Sequence, residues 1–225
     1  CKYRNVDGLV RICTDFSDPD VYEVINGDLP VVTIDHVFEC RTAVVSNNES
    51  GMEALIDYVS EMGHEKIAFI QGKRSAVMEK RMSGFCKACM NRGIEVKPEW
   101  MLTGEYHNPV ATYELTKQLI QSEERPTCIF RPDDFSAIGG YNAIADCGLK
   151  IPDDISVVGY DGIAYSEFLS PKLTSYRQDA VKIGAAAARK LISQIENPST
   201  TFAEVITVDG EIQMGASVAR PAGST

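Results

Sequence analysis

Short, continuously apolar runs alternate along this chain with longer amphipathic stretches, and this alternation restricts the fold more than any other feature. Val31-Val32-Thr33-Ile34-Asp35, Lys66-Ile67-Ala68-Phe69-Ile70, Pro126 to Phe130 and Ile155 to Tyr160 are apolar almost throughout, rather than at every second position. A strand with one wet face alternates, so an unbroken apolar run marks a strand covered on both faces. Between the runs, Met52, Leu55, Ile56, Val59 and Met62 recur at helical spacing, and Gly63 is placed to end that helix. The same reasoning predicts helices over 20–26, 77–91, 110–121, 135–146 and 179–196, with Gly93 and Gly148 after two of them. Further extended pieces fall at Val6 to Val10, Ala43 to Val45, Met101 to Gly104, 203–208 and 211–214. Strands separated by helices predict an α/β fold with parallel sheets covered on both sides.

Parallel sheets of this kind bind ligands beyond the carboxyl ends of their strands. Polar groups cluster there in this chain: Ile34-Asp35, Ile70-Gln71-Gly72, Phe130-Arg131-Pro132-Asp133-Asp134 and Tyr160-Asp161-Gly162. An aspartate after a strand also commonly caps the next helix, and Asp134 is expected to act in that way.

The chain has 225 residues, enough for one large α/β domain or two smaller ones. No Gly/Pro/Ser-rich linker divides it, so two lobes would have to interleave. The net charge of −10 excludes a free-standing DNA-binding surface, which needs a basic patch. Seven cysteines, an odd number with several inside apolar runs, fit reduced thiols in a cytoplasmic protein. Cys86-x-x-Cys89 lies in a predicted helix, and both thiols are expected in the core. No phosphate-binding glycine loop, dinucleotide fingerprint or nucleophile elbow is present, and His36, His64 and His107 are scattered. No catalytic constellation emerges, so an enzyme is not expected, and the sequence calls for no cofactor and no metal.

Several segments taken together resemble the LacI (lactose-repressor) family of transcriptional regulators. Gly63-His64-Glu65-Lys66-Ile67-Ala68-Phe69-Ile70-Gln71-Gly72 is similar to its "GH-x-x-IAFI-x-G" stretch, and Arg81-Met82-Ser83-Gly84-Phe85 to its "R-x-x-G-F" helix start. Pro126-Thr127, Asp133-Asp134 and Ala137-Ile138-Gly139 match "PTA-x-x-x-x-ND-x-x-A-x-G" in order and spacing. Gly148 to Asp161 and then Leu173-Thr174-Ser175-Tyr176-Arg177-Gln178 complete the series. The resemblance implies a type I periplasmic-binding-protein-like fold: two Rossmann-like lobes with parallel sheets, three crossovers, and an effector between the lobes. The lobes expected are residues 1–46 with 180–201, and 47–179 with 202–225. The family's helix-turn-helix headpiece has no counterpart here, and the N-terminal lobe begins at the family's third strand, so it is expected to be incomplete. A homodimer is implied, with operator DNA held only through a headpiece. The alternative on the same fold is a solute-binding protein of a transport system.

The resemblance also implies ligand-binding residues. Arg81 stands where the family arginine anchors ligand hydroxyls or a carboxylate, and Asp161 where its aspartate accepts hydrogen bonds. Tyr106 falls where an aromatic side chain often faces the ligand, and Asp35 ends a strand of the first lobe. Asp133 replaces the family's asparagine, which is usually preceded by small residues rather than by Arg131-Pro132. A carboxylate there offers acceptors only, favouring a donor-rich ligand such as a sugar, unless Arg131 neutralises it. Val77 and Met78 add apolar atoms nearby.

Overall fold

The computed structural model describes residues 6–12 and 19–222; Cys1 and Cys13 lie outside them. The chain forms two compact units, one of residues 1–47 and 179–209, the other of 48–178 and 210–225. It passes from one to the other three times.

The first unit holds strands β1 (Leu9–Ile12), β2 (Val31–Ile34), β3 (Thr42–Ser46) and β9 (Val205–Val208), all parallel, in the order β1-β2-β3-β9. Helix α6 (Ala180–Glu196) packs Ile183 and Ala187 against Val32, Ile34 and Val44, while α1 (Pro19–Asn26) packs Val21 and Ile25 against Val31. Arg41 donates to the carbonyls of Ile25, Gly27 and Leu29 just where α1 ends. A cation at that position suits the negative end of the helix dipole. The lobe boundary expected at residue 201 needs correcting. Strand β9 pairs with β3 from Ala43↔Val205 to Ser46↔Val208, so the segment through residue 209 belongs to the first unit. A four-residue run cannot itself specify which sheet edge it will join.

The second unit is a six-stranded sheet in the order β10-β8-β7-β6-β4-β5. Its strands are β4 (Ile67–Gln71), β5 (Met101–Thr103), β6 (Cys128–Phe130), β7 (Ser156–Asp161), β8 (Thr174–Arg177) and β10 (Glu211–Gln213). Only the edge strand β10 is antiparallel. The period-2 geometry of strands explains the unbroken apolar runs. Phe69, Phe130 and Val158 face one core with Met52, Leu55, Ile56 and Phe85. Their neighbours Ile70, Ile129 and Val157 face the other, with Trp100, Leu119, Tyr141 and Ile144. The first core is covered by α2 (Asn48–Glu61) and α3 (Ala76–Asn91), the second by α4 (Pro109–Ile120) and α5 (Asp134–Asp146). Strand β8 escapes the apolar pattern because Thr174 and Ser175 are fully buried through hydrogen bonds, to Gly215 and Asp134.

Three helix starts in this unit carry side-chain caps: Ser75 accepts from Met78 N, Asn108 from Ala111 N and Asp133 from Ser136 N. The cap of α5 is therefore Asp133, and the capping role expected of Asp134 is corrected. His64 is buried, its ring bridging the Thr127 hydroxyl and the Ala219 carbonyl at 2.9 Å each. Of the two thiols expected in the core, Cys89 is buried but Cys86 is exposed. No helix among the described residues is long and apolar enough to cross a membrane.

Candidate functional site

The carboxyl ends of β4, β5, β6 and β7 all open on the same edge of the six-stranded sheet, as parallel pairing requires. Arg81 reaches this edge from α3. Gly84, three residues on, lets α3 approach α2: a Cβ there would stand 2.2 Å from the Glu49 carbonyl oxygen. The R-x-x-G-F pattern thus joins a helix-packing glycine to the arginine that this packing positions.

The Arg81 side chain is only 5% exposed. Its Nε donates to Asn48 Oδ1 at 2.9 Å, Nη1 to the Pro132 carbonyl at 2.7 Å and Nη2 to Asp161 Oδ1 at 3.1 Å. The guanidinium also lies over the Tyr160 ring, 3.6 Å from its centroid. Burial is the largest influence and opposes its charge, but the Asp161 carboxylate together with Tyr160 and Tyr106 more than offsets it, and the pKa is raised.

Asp161 ends β7 at φ +107°, a region that residues with a Cβ rarely adopt. Its Oδ1 accepts from Arg81 and, at 2.6 Å, from Gln178 Nε2. Among the described residues Oδ2 has no partner, and the side chain is 23% exposed. Burial pushes its pKa up, Arg81 pulls it back, and the like charge of Asp133 raises it again.

Tyr106 follows β5 and packs its ring against Gly72, where a Cβ would stand 2.3 Å from two ring carbons. Its hydroxyl lies 3.6 Å from the Met78 sulfur, and Arg81 and Asp161 are both close enough to act on it electrostatically. Met78 is buried beneath it and accepts from Gly72 N at 3.2 Å. Arg81, Asp161 and Tyr106 thus come together with Asn48, Tyr160 and Gln178. These last three were not singled out as site residues, although Gln178 is the final position of the quoted Leu173–Gln178 match.

Asp133 is fully buried, and both of its oxygens accept from the protein. Oδ1 takes Ser136 N at 2.7 Å, and Oδ2 takes Ser136 Oγ and His107 N at 2.9 Å each. It ties the start of α5 to the loop that carries Tyr106. Arg131 does not neutralise it; its Nη1 donates to Thr116 Oγ1 instead. Asp134 is also buried, accepting from Ser175 Oγ at 2.5 Å and Ile163 N at 2.9 Å. Burial pushes its pKa up to about 7. Asp35 belongs to the other unit, where at φ +60° its Oδ1 accepts from Ser46 N at 2.9 Å. Among the described residues no cluster of His, Cys, Asp or Glu is placed to hold a metal ion.

The sequence profile described as "Periplasmic binding protein-like domain" matches residues 56–218. PurR of Histophilus somni (strain 129Pt), an HTH-type transcriptional repressor, is 34% identical over 221 residues, 96% of this chain and 65% of its own length. ExuR of Bacillus subtilis (strain 168), a probable HTH-type transcriptional repressor, is 31% identical over 218 residues, 95% of this chain and again 65% of its own length. The chain therefore spans just under two thirds of the length of these relatives. Among solved structures, a LacI family transcriptional regulator from Enterococcus faecalis with bound ribose shares the fold, with a TM-score of 0.85 and 24% identity. That superposition covers 96% of this chain and 79% of the other. The profile match spans most of the chain, and the repressor relatives and the shared fold agree with it: this chain belongs to the periplasmic binding protein-like domain family.

Proposed function

We propose that this chain is the effector-sensing core of a transcriptional repressor, taking a small polar ligand such as a sugar at the carboxyl edge of its six-stranded sheet. The observation that carries this is Asp161: a partly exposed carboxylate in an unusual backbone conformation, held through one oxygen by Arg81 and Gln178, with its other oxygen not engaged among the described residues. A fixed acceptor of this kind suits a hydroxyl donor. Arg81 orients the carboxylate and has further N–H capacity for the ligand, and Tyr106 supplies a flat side. Asp133 acts through position, holding the Tyr106 loop. The ribose bound by the Enterococcus faecalis regulator supports a sugar-like ligand, and the repressor relatives support regulation over transport. Operator binding would need a DNA-binding segment beyond these residues, because the chain's own charge of −10 repels phosphates. A homodimeric, cytoplasmic regulator completes the reading.

The test is a thermal-shift screen of the chain against pentoses, hexoses, uronates and nucleosides. A ligand that binds only the folded state raises Tm. One polyhydroxylated compound is expected to raise it saturably. No shift across the panel, even at millimolar concentrations, would contradict the proposal.

A further inference from the structure

Arg131 is a buried charged group that the candidate site does not use. It follows β6 directly, its backbone N–H donates to the Val158 carbonyl at 2.9 Å, and the residue is 2% exposed. Strand alternation sends Phe130 to the α2/α3 side and Ile129 to the α4/α5 side; Arg131 continues the second. Its Nη1 donates to Thr116 Oγ1 of α4 at 2.5 Å, and the Thr116 hydroxyl in turn donates to the Thr112 carbonyl at 2.6 Å. On the α5 side it meets Gly140, where a Cβ would stand 2.4 Å from both Cζ and Nη2 and 2.8 Å from Nε. Only glycine leaves space for the guanidinium there. Arg131 and Gly140 therefore form a matched pair, and Arg131 occupies a position where the resembled family usually has small residues.

The remaining donors, Nε and Nη2, are buried and without a hydrogen-bond partner among the described residues. They are not a random pair. Nε–H and the adjacent Nη2–H point in parallel from one edge of a guanidinium, the edge that grips anions with two hydrogen bonds. No carboxylate among the described residues forms an ion pair with Arg131. The ionisable groups acting on it are Tyr141 and Cys128, and burial pushes both well above neutral pH, so neither supplies a negative charge. Burial brings Arg131 itself down to about 9, which still leaves it charged at neutral pH. An uncompensated cation with two unmade hydrogen bonds is costly in a core. Water would satisfy the donors and leave the charge; an anion meets both needs. The near-complete enclosure restricts that anion to a small one.

The geometry points to an internal site for one small monovalent anion of halide size, held by Nε–H and Nη2–H of Arg131 where α4 and α5 meet. Bound there, the anion would brace the α4–α5 layer two residues before Asp133.

The experiment compares thermal unfolding of the chain in sodium chloride, sodium bromide and sodium gluconate at equal ionic strength. The expected result is a saturable Tm rise of about 2–4 °C in either halide relative to gluconate, lost in Arg131→Met. Crystals of the unsubstituted chain grown in bromide give a second reading that needs no variant to fold. They are expected to show an anomalous peak at hydrogen-bond distance from Nε and Nη2. Superimposable chloride and gluconate curves, a halide effect that survives Arg131→Met, or ordered water alone in place of the anomalous peak would each overturn the assignment.

Discussion

Asp161 concentrates two unfavourable features, a φ of +107° and a carboxylate drawn into a largely buried setting, and Arg81 compensates the second. The pair makes a stability prediction separate from any ligand. Arg81→Met leaves Asp161 without its cation and should cost about 2–3 kcal/mol, below the ~3–5 kcal/mol for fully buried pairs because the carboxylate is 23% exposed. Adding Asp161→Asn should recover part of that loss in a double-mutant cycle, measured by urea unfolding; strictly additive losses would show that the two do not interact. Asp134 makes a pH prediction. Its folded pKa is raised to about 7 from the usual carboxylate range, so the folded state binds the extra proton. Its contribution is thus most favourable at low pH and declines as pH rises through about 4 to 7, reaching a cost of up to about 4 kcal/mol. Asp134→Asn should flatten the slope of stability over that window, and an unchanged slope would show that the carboxyl ionises freely. The roles of these neighbours were only half legible. Two adjacent aspartates after a strand announce a cap, but which of them takes it depends on where the helical dihedrals begin, and sequence does not fix that.

At the scale of elements, the covered parallel sheet was visible because buried strands cannot alternate and helices must. The direction taken by Arg131 was also within reach, since Ile129 and Phe130 already divide between the two faces; the nearby Asp133 made an ion pair look more natural. Strand β8 was missed because its buried positions are hydroxyls, whose partners only the fold supplies. The join between α2 and α3 gives a test of the R-x-x-G-F pattern. Gly84→Ala places a methyl group 2.2 Å from the Glu49 carbonyl oxygen, and should destabilise the chain by about 1–3 kcal/mol. It should also displace Arg81, which a loss of ligand affinity larger than that of a remote, equally destabilising variant would reveal. Asp133→Asn tests the capping network. The amide keeps one acceptor and turns the other into a donor facing His107 N–H and Ser136 Oγ, so a loss of about 1–2 kcal/mol is expected by thermal unfolding. No loss would mean that the amide reorganises at no cost.

For the whole molecule, the two units and the three chain passages follow from which strands pair, while a net charge of −10 makes it a poor surface for phosphates. The resemblance carried the fold. It could not tell which of the aspartates keeps an oxygen free of protein partners, because that depends on the fold: both oxygens of Asp133 are engaged, but only one of Asp161 among the described residues. The central claim is that Asp161, fixed by Arg81, is the ligand-reading group of a sensing core. Isothermal titration calorimetry of the parent chain, Asp161→Asn and Arg81→Met against the compound that raises Tm tests it most directly. A loss of at least about tenfold in affinity for each variant, with the fold intact by circular dichroism, is the predicted result, equivalent to about 1.4 kcal/mol. Binding by both variants as tight as that of the parent would contradict it.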